Sequence, residues 1–508
     1  MTTPPVPIAH PPLLARAGLL VGPLFALMVY FLPLDGLPEP ARRVATLAAL
    51  MATFWLTEAI PLAATALLPL VALPLLGVGA ASAVAGSYAN EIIFLFLGGF
   101  LVAIAMEACD LHRRLALRLL LVIGTRPRAL LAGFLFSTAF VSMWISNTAT
   151  AMMMVPIAMA LLARLGESVG RLGPALMLAI AYGASIGGVA TLVGTPPNLV
   201  FVQLLARTFP EAPPISFASW LAFGAPFALA LLAGTWLWLS WWYQVGRMES
   251  GAAGDVIRDQ HRGLGRMTRD QIIVGAVFGT LALLWITRQG IDLGGVALPG
   301  WSALFPEPKF IGDGTVAMAA AALLFLVPSI RGGCLLGQKS FAKVPWDIVL
   351  LFGGGFALAD AFVASGLSLW LGGRLDLLRG INPVLLMILV CIGVTFATEL
   401  TSNTATAQVI LPILAVNAVA VGMDPRLLMI AGTISSSMAF MLPVATPPNA
   451  IVFASGRLST LEMARAGFVM NLVGVVLIPV VLWLVGGWAF GIEYGTLPEW
   501  ARLTPSAN

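Results

Sequence analysis

Charge is what this chain has least of. Asp, Glu, Lys and Arg make up 10% of its 508 residues, against 59% hydrophobic, and the mean hydropathy is +0.96. A soluble domain with so little polar material could not cover its own surface, so the water-soluble classes are excluded. Histidine is scarce too. His10, His112 and His261 are expected in loops or at span ends, away from every motif described below. An intramembrane enzyme, which needs a His, Cys or paired-carboxylate constellation, has no site to work with. Cys109, Cys334 and Cys391 have neither metal nor redox spacing, and an odd number argues against a disulfide framework, so they are expected to pack. The Pro-rich N-terminus has no basic n-region ahead of a short apolar core, so no removable signal is expected and the first span stays. The basic loops lack interleaved aromatics and any base-reading motif, which excludes nucleic acid as a partner.

What the chain does have is apolar length. A bilayer core takes ~20 helical residues. Runs long enough to cross it are expected at 17–35, 43–58, 60–78, 91–109, 175–207, 217–243, 270–288, 312–330, 347–366, 427–455 and 465–490. Two further apolar regions, 128–165 and 383–421, each break at a Ser-Asn-Thr and return. The expected fold is therefore an all-α polytopic membrane protein with eleven transmembrane helices and two re-entrant hairpins. If the Arg-rich loop after the fourth span (Arg113, Arg114, Arg118, Arg126, Arg128) is cytoplasmic, twice as many of the 27 Lys and Arg fall inside as outside. That layout puts the N-terminus in the cytoplasm and the C-terminus outside, and makes the net charge of +4 a topology signal.

The chain also repeats itself. EIIFLFLGGFLVAIA from Glu91 is matched by DIVLLFGGGFALADA from Asp347, and WISNTATAMMMVP at 144–156 by LTSNTATAQVILP at 400–412. VGTPPNLV around Pro196 has its counterpart in VATPPNAI around Pro447. Three matched elements in one order indicate duplication. An odd number of crossings separates the copies, so the halves are expected to be inverted in the membrane. Inverted repeats with interrupted helices place a binding site near the midplane.

The motifs suggest what binds there. Irregular backbone at membrane depth survives only where it is buried in protein or lines a wet cavity. Each Ser-Asn-Thr is expected at a hairpin tip where a helix restarts just after the Asn, turning free N–H groups and a positive dipole end toward an anion. Each Thr-Pro-Pro-Asn should unwind its span, freeing carbonyls around Gly194 and Ala445, while Thr195 or Thr446 caps the new half-helix. Carbonyl, Ser, Thr and Asn oxygens together suit a hard cation such as sodium. Taken singly, either motif could be an ordinary cap or kink. Their duplication is what carries the functional reading. The GGF segments are expected to be close-packing faces.

With these motifs, and WLTEAIPLAATALLPLVALPLLGV at 55–78, nearly the whole chain resembles the divalent anion:sodium symporters, to which the INDY-type dicarboxylate transporters belong. The resemblance implies an inner-membrane homodimer working as an elevator. Residues 1–125 and 251–380 would form a scaffold, and 126–250 and 381–508 a transport domain. It implies a first sodium (Na+) site from Ser142, Ser146, Asn147 and Gly194, and a second from Thr398, Thr401, Asn403 and Ala445. Substrate would meet Ser146, Asn147, Thr148, Ser402, Asn403 and Thr404, with Thr195, Thr446 and Pro447 nearby. Partners would be a C4-dicarboxylate such as succinate, malate or fumarate, sodium ions and the lipid bilayer.

No Arg or Lys lies within the Ser-Asn-Thr or Thr-Pro-Pro segments, so sodium must neutralise a dianion there. That favours symport over exchange. Within the superfamily, a carrier of sulfate or another inorganic anion is the rival; two facing tips suit two carboxylates better than one compact oxyanion. A channel fits less well than alternating access. Glu399 and Asp360 are costly in lipid and are expected to pair with polar neighbours or to take part in ion coupling. Glu58 is expected at an interface.

Overall fold

The computed structural model describes residues 13–165, 171–245, 253–292, 297–374 and 382–502. Among them the chain is helical apart from short 3-10 turns, one isolated bridge and a two-residue antiparallel ladder, Ile291–Asp292 against Ala297–Leu298. Eight helices are long and apolar enough to cross a membrane, and five shorter apolar helices accompany them. Helix boundaries follow local chemistry. The span expected at 17–35 runs Leu13–Phe31 and stops short of Pro33, because the residue before a proline resists helix. The one expected at 312–330 is Asp313–Leu326, ending where Val327 turns extended ahead of Pro328. The single span expected at 60–78 is two helices, Leu62–Ala66 and Leu68–Leu75, the second opening with Pro69, which has no N–H to give.

Both hairpins are present. The first has arms Pro127–Ser142 and Asn147–Leu165; the second, Pro383–Thr398 and Asn403–Ala420. Both broken helices are present as well, Leu172–Val189 with Pro196–Thr208, and Pro425–Ser435 with Pro447–Ala454. Two segments expected as loops contain helices instead: Leu111–Ile123, which carries His112, and Ala253–Gly263, which carries His261. His10 lies outside the described residues.

The packing links first and third quarters of the chain, and second and fourth. Ser87 donates to Asp360 at 2.7 Å, Arg114 Nε to Gln271 at 3.0 Å, and Arg331 to the Ala108 carbonyl at 2.7 Å. On the other side, Phe217–Trp242 packs against Thr460–Phe490, Leu172–Val189 against Pro447–Ala454, and the rings of Tyr182 and Phe440 meet at 5.0 Å. The GGF glycines are packing faces: a Cβ on Gly98 would sit 2.6 Å from the Ala317 backbone, and one on Gly354 would strike the Ala66 carbonyl.

Candidate functional site

At the first hairpin tip the incoming helix ends at Ser142, and the outgoing one begins at Asn147 itself, one residue earlier than expected. The cause is Ser146. Its Oγ accepts the Ala149 N–H at 3.2 Å, the geometry of an N-cap, so Asn147 is already the first helical residue. The second tip starts at the same place, with Ser402 as the extended N-cap and Asn403 first in the helix, but the Ser402 side chain makes no capping bond.

Each tip gathers oxygen. The Ser142 hydroxyl, fully buried, lies 2.7 Å from Asn147 Oδ1 and 2.8 Å from the Ala184 carbonyl. In the second half Thr398 Oγ1 lies 2.9 Å from Asn403 Oδ1 and 2.8 Å from the Ser436 carbonyl. A hydroxyl has a single proton. Three oxygens therefore converge around one hydrogen in each cluster, and the surplus lone pairs suit a hard cation. Gly194 arrives at the first cluster from the break: a Cβ on Gly188 would meet Asn147 Oδ1 at 2.8 Å and the Gly194 carbonyl at 3.1 Å. Only glycine leaves that space open. Ala445 lies buried in the equivalent unwound stretch.

The last residue of each Thr-Pro-Pro-Asn motif holds its break open. Asn198 Nδ2 donates to the carbonyls of Thr191 at 2.7 Å and Gly188 at 3.2 Å; Asn449 Nδ2 donates to Leu442 at 2.9 Å and Ala439 at 3.1 Å. Both asparagines are fully buried. Carbonyls where the helix unwinds thus gain a side-chain donor, and those of Thr191 and Leu442 hold it beside a backbone N–H, from Gly194 at 3.4 Å and Ala445 at 3.2 Å. Of the two threonines, only Thr446 caps with its side chain, accepting the Asn449 N–H at 3.4 Å; Thr195 occupies the N-cap without that bond.

The expected substrate residues differ in burial. Ser146, Asn147, Thr148, Ser402 and Asn403 are half-buried at the tips, Pro447 is exposed, and Thr195, Thr404 and Thr446 are buried. Thr401 departs from expectation in one respect. Its hydroxyl is taken by the Ala397 carbonyl at 3.1 Å and Thr406 Oγ1 at 2.6 Å, which leaves its backbone carbonyl for any ligand. Among the described residues, no Lys or Arg hydrogen-bonds to either Ser-Asn-Thr motif or either Thr-Pro-Pro motif. Ala184, Gly188, Ser436, Asn198 and Asn449 join the site without having been singled out. The intramembrane acids are paired. Asp360 meets Arg207 at 3.1 Å as well as Ser87, and Glu399 accepts N–H groups from Phe440, Met441, Leu442 and Asn471.

Comparison with known proteins gives the same picture. MtrF of Neisseria gonorrhoeae, from a class of antimetabolite efflux pumps, aligns over 93% of this chain and all of its own, with a TM-score of 0.58 at 15% identity. The YdaH transporter of Alcanivorax borkumensis aligns over 89% of this chain and all of its own, at 0.54 and 14%. These two share the fold. In sequence, the chain is 40% identical over 490 residues to a sodium-dependent dicarboxylate transporter, SdcS, of Staphylococcus saprophyticus, covering 94% of this chain and 92% of the relative. SdcS of Staphylococcus aureus gives 40% over 493 residues with the same coverage. A family model described as the sodium:sulfate symporter transmembrane region matches residues 15–491. The chain therefore belongs to the divalent anion:sodium symporters, a family of membrane transporters and not of enzymes.

Proposed function

We propose that this protein carries C4-dicarboxylates such as succinate, malate and fumarate into the cell together with sodium. The observation that carries the reading is the pair of proton-poor oxygen clusters, Ser142–Asn147–Ala184 and Thr398–Asn403–Ser436, at tips with no basic side chain bonded to them. The first cage would hold sodium through Ser142, Ser146, Asn147 and Gly194. The second would use Thr398, Asn403, Ala445 and the Thr401 carbonyl. Two helix starts then face the substrate, one carboxylate to each, through Ser146, Asn147 and Thr148 and through Ser402, Asn403 and Thr404. Thr195, Thr446 and Pro447 stand beside them. A dianion at an unfilled cage lacks compensation, so sodium binds first and coupling is obligatory.

The movement is an elevator of a homodimer. Residues 126–250 and 381–508 travel against a scaffold of 1–125 and 251–380, eleven crossings in all, with the N-terminus cytoplasmic. The pairing of chain quarters supports this division, as does the short set of polar links across it. Arg207 to Asp360 is one; Gln408 Nε2 to the Leu351 carbonyl, 2.8 Å, and the Phe217 N–H to Asp313, 2.9 Å, are others.

The test is uptake of radiolabelled succinate into proteoliposomes under a sodium gradient, a potassium gradient or none, with sulfate and citrate as competitors. Sodium-dependent uptake lost in Asn147→Ala and Asn403→Ala is expected. Uptake indifferent to sodium but driven by internal dicarboxylate would make the protein an exchanger; transport of sulfate alone would move the substrate class.

A further inference from the structure

The two halves match closely, and one of their differences puts an acid at the second tip only. Position for position, Glu399 at the second tip faces Met143 at the first. Glu399 directly follows Thr398 and is 3% exposed. Its Oε1 accepts the N–H groups of Phe440 at 2.8 Å and Met441 at 2.9 Å, and Asn471 Nδ2 at 2.7 Å; its Oε2 accepts Met441 and Leu442, each at 3.1 Å. Every partner is a donor, and the two carboxyl oxygens have lone pairs for all of them. One side chain therefore ties three elements together: the hairpin tip, the unwound stretch of the second broken helix, and the long helix Thr460–Phe490.

The stretch it holds supplies the second cage. Thr398 bonds to the Ser436 carbonyl at one end, and Ala445 stands near the other. In the first half the same junction rests on a neutral contact, the Thr191 hydroxyl donating to the Met143 carbonyl at 2.5 Å. Three consecutive N–H groups fixed by a carboxylate make a stiffer frame than one hydroxyl bond.

We propose that Glu399 is a positioning residue for the second sodium cage: it holds the unwound stretch ready, so the second cage binds sodium more tightly and fills first. The proposal rests on the two-cage reading above. Without the clamp the competent conformation becomes a fraction of the population, and apparent affinity falls by that fraction.

The experiment is a sodium titration of purified full-length protein without substrate, with choline balancing ionic strength and thermal stabilisation as the readout. Glu399→Gln is made in the wild type, in Asn147→Ala and in Asn403→Ala. In the Asn147→Ala background, where the second cage alone remains, Glu399→Gln is expected to raise the half-saturating sodium concentration about tenfold, for a clamp fraction near a tenth. Glu399→Asp, which keeps both acceptor oxygens on a shorter arm, should fall between wild type and Gln. In the Asn403→Ala background Glu399→Gln should change half-saturation less than about twofold, since independent sites add. Asn471→Ala, which removes one donor and leaves the hairpin intact, serves if Glu399→Gln does not fold, with a rise of about two- to threefold expected by the same reasoning.

A fall in the sodium-free melting temperature with unchanged half-saturation would overturn the proposal and leave Glu399 a packing residue. An equal effect in both backgrounds would overturn it too. If neither Asn147→Ala nor Asn403→Ala alters the sodium response, the cage reading itself has failed, whatever Glu399→Gln does.

Discussion

Replacing Asn198 or Asn449 by leucine tests the architecture of the break directly, because leucine matches asparagine in shape and gives no hydrogen bond. At Asn198 the change strips donors from the Thr191 and Gly188 carbonyls, bonded at 2.7 and 3.2 Å; at Asn449 it strips them from Leu442 and Ala439, at 2.9 and 3.1 Å. A buried carbonyl left without a donor, Gly188 or Ala439, costs about 1–2 kcal/mol; Thr191 and Leu442 keep a backbone N–H, from Gly194 and Ala445, and lose about 0.5–1 kcal/mol, so each substitution loses about 1.5–3 kcal/mol. Part of that is offset. The Oδ1 of each asparagine has no protein donor among the described residues, and shedding it recovers about 1 kcal/mol. The net is about 0.5–2 kcal/mol against the unwound conformation, and at about 1.4 kcal/mol per decade that weakens sodium binding about 2- to 30-fold. The assay is fluorescence-detected thermal denaturation in choline and across a sodium titration. Unchanged melting in choline together with unchanged sodium half-saturation in both variants would refute the claim that these amides hold the breaks.

Other expectations follow from single contacts. Asp424 and Arg426 are both buried and bonded to each other, with Arg426 also donating to the Phe490 carbonyl, so Asp424→Ala should cost about 3–5 kcal/mol, read as a collapse of the monodisperse peak on heating. Gly98→Ala drives a methyl into the Ala317 backbone and should cost about 1–3 kcal/mol of stability by the same assay. Asp360→Asn breaks a half-exposed ion pair worth at most about 1 kcal/mol, so melting should barely move while initial succinate uptake shifts up to about fivefold if that pair bridges moving parts. Thr446→Val should lower stability by about 0.5–1 kcal/mol and Thr195→Val by less, since only Thr446 caps with its hydroxyl.

The hairpins and breaks were legible because proline and the Ser-Asn-Thr tips leave local marks that survive any tertiary context. The oxygen clusters were legible in half. Ser142, Asn147, Thr398 and Asn403 sit in the motifs, whereas Ala184 and Ser436 contribute backbone carbonyls from about 40 residues away, and a carbonyl has no residue type to read. Asn198 and Asn449 stood in plain view within the quoted motifs. The question that would have found them is where the freed carbonyls obtain donors. The helix at Leu111–Ile123 was also readable: LHRRLALRLLLVI is built mostly of strong helix formers, Leu, Arg and Ala, with no Gly or Pro, and a search for crossings passed over it. The clamp on Glu399 was not readable, since its donors are backbone groups brought together only by folding.

The long helix Thr460–Phe490 has a consequence for the membrane itself. Its apolar part, from Ala466 to Phe490, measures about 37 Å at 1.5 Å per residue, against a hydrocarbon core of about 30 Å. It must lean, kink at Pro479 or thicken the bilayer around it. Because this helix also holds Asn471, the donor to Glu399, its lean is tied to the geometry of the second tip. Acyl-chain length therefore becomes a control on this protein: lipids with longer tails should let the helix stand straighter and shift how the cage beneath it is set.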